Sequence, residues 1–418
     1  MANMADYLLW RGDLSFEERA LGDIDALILS CLSYLDFGGI VPGPGEGGLS
    51  LAAAASGLLA LAGEDLSSYV RSLATLDANY LRQLGCSRRF GDCVLRGYVD
   101  VIDVERSLQF AALQIVLPSG DVFVSFRGTD STLVGWREDF MMSFVVTEAQ
   151  RQAASYCADT LRSLQDGAHA YLGGHSKGGN LVAFAAVGCP EELRGRIRLA
   201  YSFDGPGIAP EVAPLSARAA LGERFRQVCP EHSIIGMLLS DPAEPRCYVK
   251  SSASGMQQHD PMTWQLGPAG FALADGLARE AELVDEAIAQ WVASIDLERR
   301  SDFVGELFDV LAAGGATTFA EVLSAPGIQQ VLRAAATASP ESRELVGRLA
   351  SQTMEAYRNS AGEQVAGALA AAAHRVAEVG EAVAQQAAVL RKGQLLSQAG
   401  GSLSPGDAGD ATDEHAGK

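Results

Sequence analysis

The pentapeptide Gly174-His175-Ser176-Lys177-Gly178 stands between a short β-rich run, Ala170 to Gly173, and an apolar helical stretch that continues through Val187. This feature limits the fold more than any other. A strand that turns at once into a helix crowds its own backbone, and glycine on either side of the central serine lets the chain pass. The serine is then lifted clear of the sheet at a helix N-terminus, where N–H groups and the helix dipole favour developing negative charge. The bare pattern also arises by chance, as a glycine-rich turn with an incidental serine. Its weight here comes from the strand before it and the helix after it.

The flanking chain repeats the same alternation. Leu113 to Leu117 and Val122 to Phe126 are β-rich runs separated by Pro118-Ser119-Gly120-Asp121, the composition of a hairpin turn. The second run leads directly into Arg127-Gly128-Thr129-Asp130. Thr147 and Gln150 then form a capping box at the start of a helix whose apolar face carries Ala153, Cys157, Leu161 and Leu164, with Gly167 to end it. Ile197 to Phe203 is a further strand, ending in Asp204-Gly205-Pro206-Gly207. Strands alternating with helices predict an α/β protein with a mainly parallel sheet covered on both faces.

Outside this block the pattern is helical. Ile24, Leu27, Ile28, Cys31, Leu32 and Leu35 recur at helical spacing on one face, and Gly38 to Gly48 reads as a flexible connector. Past His259 the chain is alanine-rich, with helices expected at Asp302 to Leu311 and Glu341 to Tyr357. Val365, Leu369, Ala372, Val376, Val379, Val383, Gln386 and Leu390 form a heptad-like seam that packs either on its own domain or on a second copy of the chain. The organisation expected is a sheet domain with its N-terminal helical segment over residues 1–290, a C-terminal helical extension over 291–396 and a disordered tail over 397–418.

The 418 residues include 52 acidic against 32 basic side chains, a formal charge of −20 that repels nucleic acids and anionic bilayers. At 48% hydrophobic and 20% charged, the chain can bury a sizeable core. Its longest nearly apolar run, Leu49 to Ala62, is shorter than the roughly 20 residues a bilayer requires. Met1 to Trp10 lacks a basic segment followed by an apolar one, so the expectation is a soluble, cytoplasmic protein. Seven scattered cysteines show no zinc-ligand spacing and read as free, mostly buried thiols, and no metal or organic cofactor is expected.

A serine hydroxyl at neutral pH needs a base to become a useful nucleophile. When a nucleophile sits on a turn of this kind, the chain order is serine, then Asp or Glu, then His. Of the six histidines this leaves His232, His259, His374 and His415. His259 lies in the loop Gln257-Gln258-His259-Asp260-Pro261, shortly after the predicted strand Cys247 to Ser251, and is favoured, with His232 as its competitor. Asp204, closing the strand after the nucleophile's helix, is the first candidate acid, with Glu231 and Asp241 as alternatives. Asp-Gly after a strand is also ordinary turn chemistry. An oxyanion hole would take the backbone N–H of Lys177 and one from Gly128 to Thr129, with the Thr129 hydroxyl able to assist.

Taken together, Phe126-Arg127-Gly128-Thr129, Gly173 to Asn180, Phe203 to Gly207 and Gln258-His259-Asp260-Pro261 resemble an uncharacterised bacterial family of lipase-like α/β hydrolases allied to the class 3 lipases. Tyr7 to Asp13 and Leu32 to Phe37 resemble it too, so the likeness spans roughly Tyr7 to Trp264. It implies an α/β-hydrolase fold and serine hydrolase chemistry, with Ser176 and His259 as nucleophile and base and Thr129 as the oxyanion residue. The acid of class 3 lipases falls in the segment matching Glu231 to Gly236, where this chain has Ser233 and no aspartate. Asp204 resembles instead the arrangement of pancreatic-type lipases. Lys177 replaces the apolar residue usual after the nucleophile, and reads as a solvated side chain at the site mouth or as an attractant for an anionic head group. A lid follows the oxyanion loop in class 3 lipases. The matching stretch here holds Trp136, Phe140, Met141, Met142, Phe144, Val145 and Val146, which either line and cover an acyl pocket or pack on the sheet. Arg127 and Asp139 are expected to form a structural ion pair.

These features predict hydrolysis of a small-molecule or lipid carboxylic ester through Ser176, His259 and Asp204. Two rival readings share the fold: acyl transfer by the same residues, and a non-catalytic scaffold that binds a partner or forms a homo-oligomer through its C-terminal helix.

Overall fold

The hairpin read at Pro118 to Asp121 closes as the sequence requires. Gly120 takes φ +86°, a conformation open to glycine, and Leu117 and Asp121 are joined by a 2.8 Å backbone hydrogen bond. The computed structural model describes residues 2–72, 74–130, 132–142, 145–208, 212, 221–233, 235–237, 245–279, 281, 297–322 and 325–335. Phe144, Asp241, His374, His415, the Glu341–Tyr357 helix, the 365–390 seam and the C-terminal tail lie outside the described residues.

The strands are β1 (Leu49–Ser50), β2 (Val94–Asp103), β3 (Leu108–Val116), β4 (Val122–Phe126), β5 (Ala170–His175), β6 (Ile197–Phe203), β7 (Phe225–Pro230) and β8 (Arg246–Val249). They lie in chain order across one eight-stranded sheet, antiparallel from β1 to β4 and parallel from β4 to β8. The helices that position the site are α1 (Met4–Arg11), α2 (Asp23–Cys31), α3 (Leu51–Ala62), α4 (Ala78–Cys86), α5 (Leu133–Met141), α6 (Glu148–Ser163), α7 (Lys177–Gly188), α8 (Glu191–Arg194) and α9 (Leu297–Leu311).

Successive strand residues serve opposite faces of the sheet, and two cores result. Leu113, Ile115, Phe123, Tyr171, Tyr201 and Phe203 join α2 on one face, while Ala112, Val122, Val124, Ala170, Leu172 and Ala200 join α6 and α7 on the other. Each fully buried Leu or Val contributes about 1.5–3 kcal/mol. A sheet buried on both sides also explains why β4 and β5 carry no polar alternation. The apolar face expected over residues 23–35 is buried, but the α-helix stops at Cys31 and a 3₁₀ turn, Leu32–Tyr34, carries the chain on. That tightening brings Tyr34 beside His175. The capping box at α6 forms, with Thr147 N–H donating to Gln150 Oε1 at 2.9 Å and Gln150 N–H returning to Thr147 Oγ1 at 3.3 Å.

The chain divides into a unit of Met1–Val331 and another of Leu332–Lys418, and the site lies wholly in the first. Among the described residues no helix is long and apolar enough to cross a membrane, and no cluster of His, Cys, Asp or Glu could hold a metal ion. The seven cysteines are free, five of them buried, with Cys86 exposed and Cys247 intermediate.

Candidate active site

Ser176 sits at the N-cap of α7 with φ +60° and ψ −134°, a backbone conformation that costs a non-glycine residue of order 1–3 kcal/mol. The glycines on either side make it attainable. A Cβ on Gly174 would stand 2.3 Å from the Gly178 carbonyl oxygen, and one on Gly178 would stand 2.2 Å from that of Phe126. The two ends of the pentapeptide touch each other and the end of β4. A hydrogen bond of 2.9 Å from Ser176 N–H to the Phe203 carbonyl ties the turn to the end of β6.

One residue past that carbonyl is Asp204, also at positive φ, +47°, and almost wholly buried. Its carboxylate is fully partnered. Oδ1 accepts from the Ser233 hydroxyl and from Gly236 N–H at 3.2 Å, and Oδ2 lies 2.6 Å from His259 Nδ1. Fixing one carboxylate oxygen with two donors aims the other at the imidazole. Glu231, an alternative acid, donates its backbone N–H to the Val249 carbonyl at 3.0 Å. His232, the competing base, contributes its backbone N–H to Gln258 Oε1 at 3.2 Å.

The loop carrying His259 is pinned from three sides. The Trp264 indole, fully buried, donates to the Gln258 carbonyl at 2.8 Å, Gln258 binds the backbone of His232, and the Thr75 hydroxyl donates to Asp260 at 2.7 Å. The His259 ring lies against that of His175, the residue just before Ser176, with centroids 4.6 Å apart. Among the described residues no hydrogen bond joins the Ser176 hydroxyl to His259. His175 itself is buried with its Nδ1 2.7 Å from the Tyr34 hydroxyl. Burial first, and His259 beside it second, push its pKa well below the usual imidazole range, so it is neutral.

Lys177 is the first residue of α7, and the leading N–H groups of a helix have no acceptor within it. The side chains of Lys177 and Thr129 are committed elsewhere. Lys177 is not solvated, as its sequence position suggested: it is 1% exposed, and its ammonium donates to Glu138 Oε2 at 2.7 Å, the Gln109 carbonyl at 2.9 Å and Gln109 Oε1 at 3.0 Å. A buried ammonium without such partners would cost several kcal/mol. The Thr129 hydroxyl donates to Asp139 Oδ2. Asp139 is therefore not the partner of Arg127, which pairs with Asp100 at the distal part of β2.

The stretch compared with a lipase lid, Trp136 to Val146, begins within α5 and runs past its end at Met141. Met142, just after α5, packs in the core with α6 and α7, and Phe140 meets Phe308 of α9 edge to face at 5.7 Å. Trp136 and Met141 are half-buried, and Val145 is exposed. Sequence reasoning did not single out Glu138, Gln109, Trp264 or Thr75. Ser233 stood out only as a departure from a family pattern, and its partnership with Asp204 gives that departure a physical content.

A mainly parallel sheet with helices on both faces, and a serine raised on a strand–turn–helix elbow at its carboxyl edge, defines an α/β-hydrolase fold. Residues 84–309 match the family described as Mbeg1-like, and the chain belongs to that family. No curated protein matches it. Among solved structures it is similar to M37 lipase, with 16% identity over 51% of this chain and 67% of that one and a TM-score of 0.30. A fungal lipase–inhibitor complex, presented as a model for interfacial activation, is 17% identical over 37% of this chain and 67% of its own, with a TM-score of 0.29. These likenesses are too distant to assign any residue a role.

Proposed function

We propose that the protein is a serine hydrolase that cleaves carboxylic esters of small molecules or lipids through Ser176, His259 and Asp204. The observation that carries this reading is the 2.6 Å contact between Asp204 and His259 Nδ1, made with the imidazole held against the residue preceding a strained, glycine-flanked serine. With Nδ1–H bound to the carboxylate, the lone pair of Nε2 is the one left to act as base.

In the first step Ser176 Oγ attacks the acyl carbonyl carbon while His259 Nε2 takes its proton, and Asp204 offsets the charge of the imidazolium. The N–H groups of Lys177 and Thr129 receive the oxyanion, where one such donor is worth roughly 3–4 kcal/mol in the transition state. Collapse of the tetrahedral adduct expels the alkoxide, which leaves as the alcohol with the proton from His259. Water, deprotonated by the same imidazole, then releases the acid and restores Ser176. In free hydrolases the serine–histidine bond is often open and closes around substrate. Acyl transfer to an alcohol or amine would use the same residues and differ only in the acceptor.

A fluorophosphonate probe followed by intact mass tests the reading. One adduct is expected on the wild type and none on Ser176→Ala, with ester turnover in that variant reduced by about 10³-fold or more. No adduct on the folded wild type, or an equal one on Ser176→Ala, overturns it. A screen across acyl-chain lengths with the same control then identifies the substrate class.

A further inference from the structure

A segment that opens and closes over a site is drawn from the weakly held parts of a fold, with few buried contacts and backbone groups left to water. The helix beside this site, α5, is held in the opposite way. We propose that α5 is a fixed wall of the site, and that the substrate is an ester dissolved in water as single molecules rather than one met at a lipid surface. The inference rests on the ester-hydrolase reading and narrows its substrate class.

The tie is the ion pair behind the nucleophile. The side chains of Lys177 and Glu138 are each 1% exposed and meet at 2.7 Å. Glu138 also takes the backbone N–H of Gln109 at 3.1 Å and that of Ala149 at 2.9 Å, so one carboxylate on α5 binds α7, β3 and α6 together. Lifting α5 would carry that carboxylate away and leave a buried ammonium and two backbone N–H groups without it. The helix also lies tight on the loop after β4: a Cβ on Gly135 would stand 2.9 Å from Thr129 Cγ2 and 3.2 Å from Gln109 Oε1. Its outer side is covered as well. Leu133 N–H donates to the Thr317 carbonyl at 2.8 Å, Arg137 lies 3.9 Å from Asp309, and Phe140 packs on Phe308 of α9.

With α5 held down, the reacting groups remain open to water: Ser176 is half-buried and the His259 side chain is 18% exposed. A dissolved ester therefore reaches the serine without any helix having to move. The formal charge of −20 acts in the same direction, since it opposes approach to an anionic lipid surface.

The test pairs turnover with hydrogen exchange on the full chain. The wild type, and not Ser176→Ala, should hydrolyse short p-nitrophenyl esters in clear solution, and phosphatidylcholine vesicles should raise kcat by less than about threefold. The amide hydrogens of residues 137–142 should exchange within about tenfold of the rate of those in α6, with or without vesicles. Neither measurement needs a variant of α5 to fold. Lys177→Met combined with Glu138→Gln removes the tie without stranding a charge, and should speed the exchange of α5 by about tenfold or more.

Ser176-dependent turnover that appears only with vesicles or rises with them beyond that limit, faster exchange of α5 in the wild type, or unchanged exchange in the double variant overturns the inference. Absence of Ser176-dependent turnover across the acyl-chain series, with and without vesicles, is instead a failure of the hydrolase reading itself, and the exchange rates then decide by themselves whether α5 is fixed.

Discussion

Two aspartates stand near the elbow, Asp204 one residue past the carbonyl that binds Ser176 N–H and Asp139 3.9 Å from the Lys177 ammonium, and the fold supplies them very differently. Asp204, at the end of β6, receives Ser233, Gly236 and His259, so both of its oxygens are satisfied. Asp139, on α5, receives one hydroxyl, and its other oxygen, buried and without a hydrogen bond, lies 3.9 Å from the Lys177 ammonium. The contrast teaches that proximity to a nucleophile does not by itself set a carboxyl group's role. Its donors and its burial do: each donor favours the anion, and at Asp139 burial comes first in favouring the neutral acid. Asp204 has both oxygens occupied, one of them by His259 Nδ1. Burial raises the Asp139 carboxyl to about 7 beside the Thr129 hydroxyl.

The strongest way to break this comparison is at its well-supplied end. Asp204→Asn should keep the loop geometry but present the wrong partner to His259 Nδ1, lowering kcat by about 10⁴-fold, as measured by ester turnover. A loss of less than about tenfold would erase the distinction between the two sites.

Next in size is the ion pair that fastens the residue after the nucleophile to α5. Glu138→Ala leaves the Lys177 ammonium buried without its anion and should cost about 3–5 kcal/mol of stability in urea denaturation. Glu138 also accepts the backbone N–H groups of Gln109 and Ala149, at 3.1 and 2.9 Å, so the pair joins β3, α5 and the start of α6 to the elbow. A stability change within about 0.5 kcal/mol would mean that Lys177 reaches water after all.

The smallest effect sharpens the comparison without destroying it. Ser233→Ala removes one of the donors on Asp204 Oδ1 and leaves the Gly236 N–H in place, so kcat should fall only about tenfold, near the roughly 1.5–3 kcal/mol of a hydrogen bond to a charged group. An unchanged kcat would show that Gly236 alone aims the carboxylate.

Much of the frame was legible along the chain because its signals are local. Ile197–Phe203 reads as a strand over the same residues in sequence and structure, and the hairpin before β4 and the capping box before α6 each rest on residues a few positions apart. The elbow was legible for the same reason, since the two glycines that permit it lie within one pentapeptide. Lys177 was not. A lysine beside a nucleophile reads as solvated until Glu138 is found next to it, and nothing along α5 marks which of its two adjacent acids turns inward. Arg127 was misassigned on the same ground: Asp139 and Asp100 lie on either side of it in the chain, and only the register of β2 against β3 decides which one meets the guanidinium.

The sequence by itself determined the alternation of strand and helix, the sharp turn that lifts Ser176 and the candidates for base and acid, because each depends on backbone sterics and apolar periodicity over a few residues. Tertiary structure alone decided that Asp204 reaches His259 across 55 positions, that Ser233 braces it, and that Lys177 is buried on Glu138. Those choices turn on which donors and charges share a volume sheltered from water, and that volume exists only once the sheet has brought its edges together.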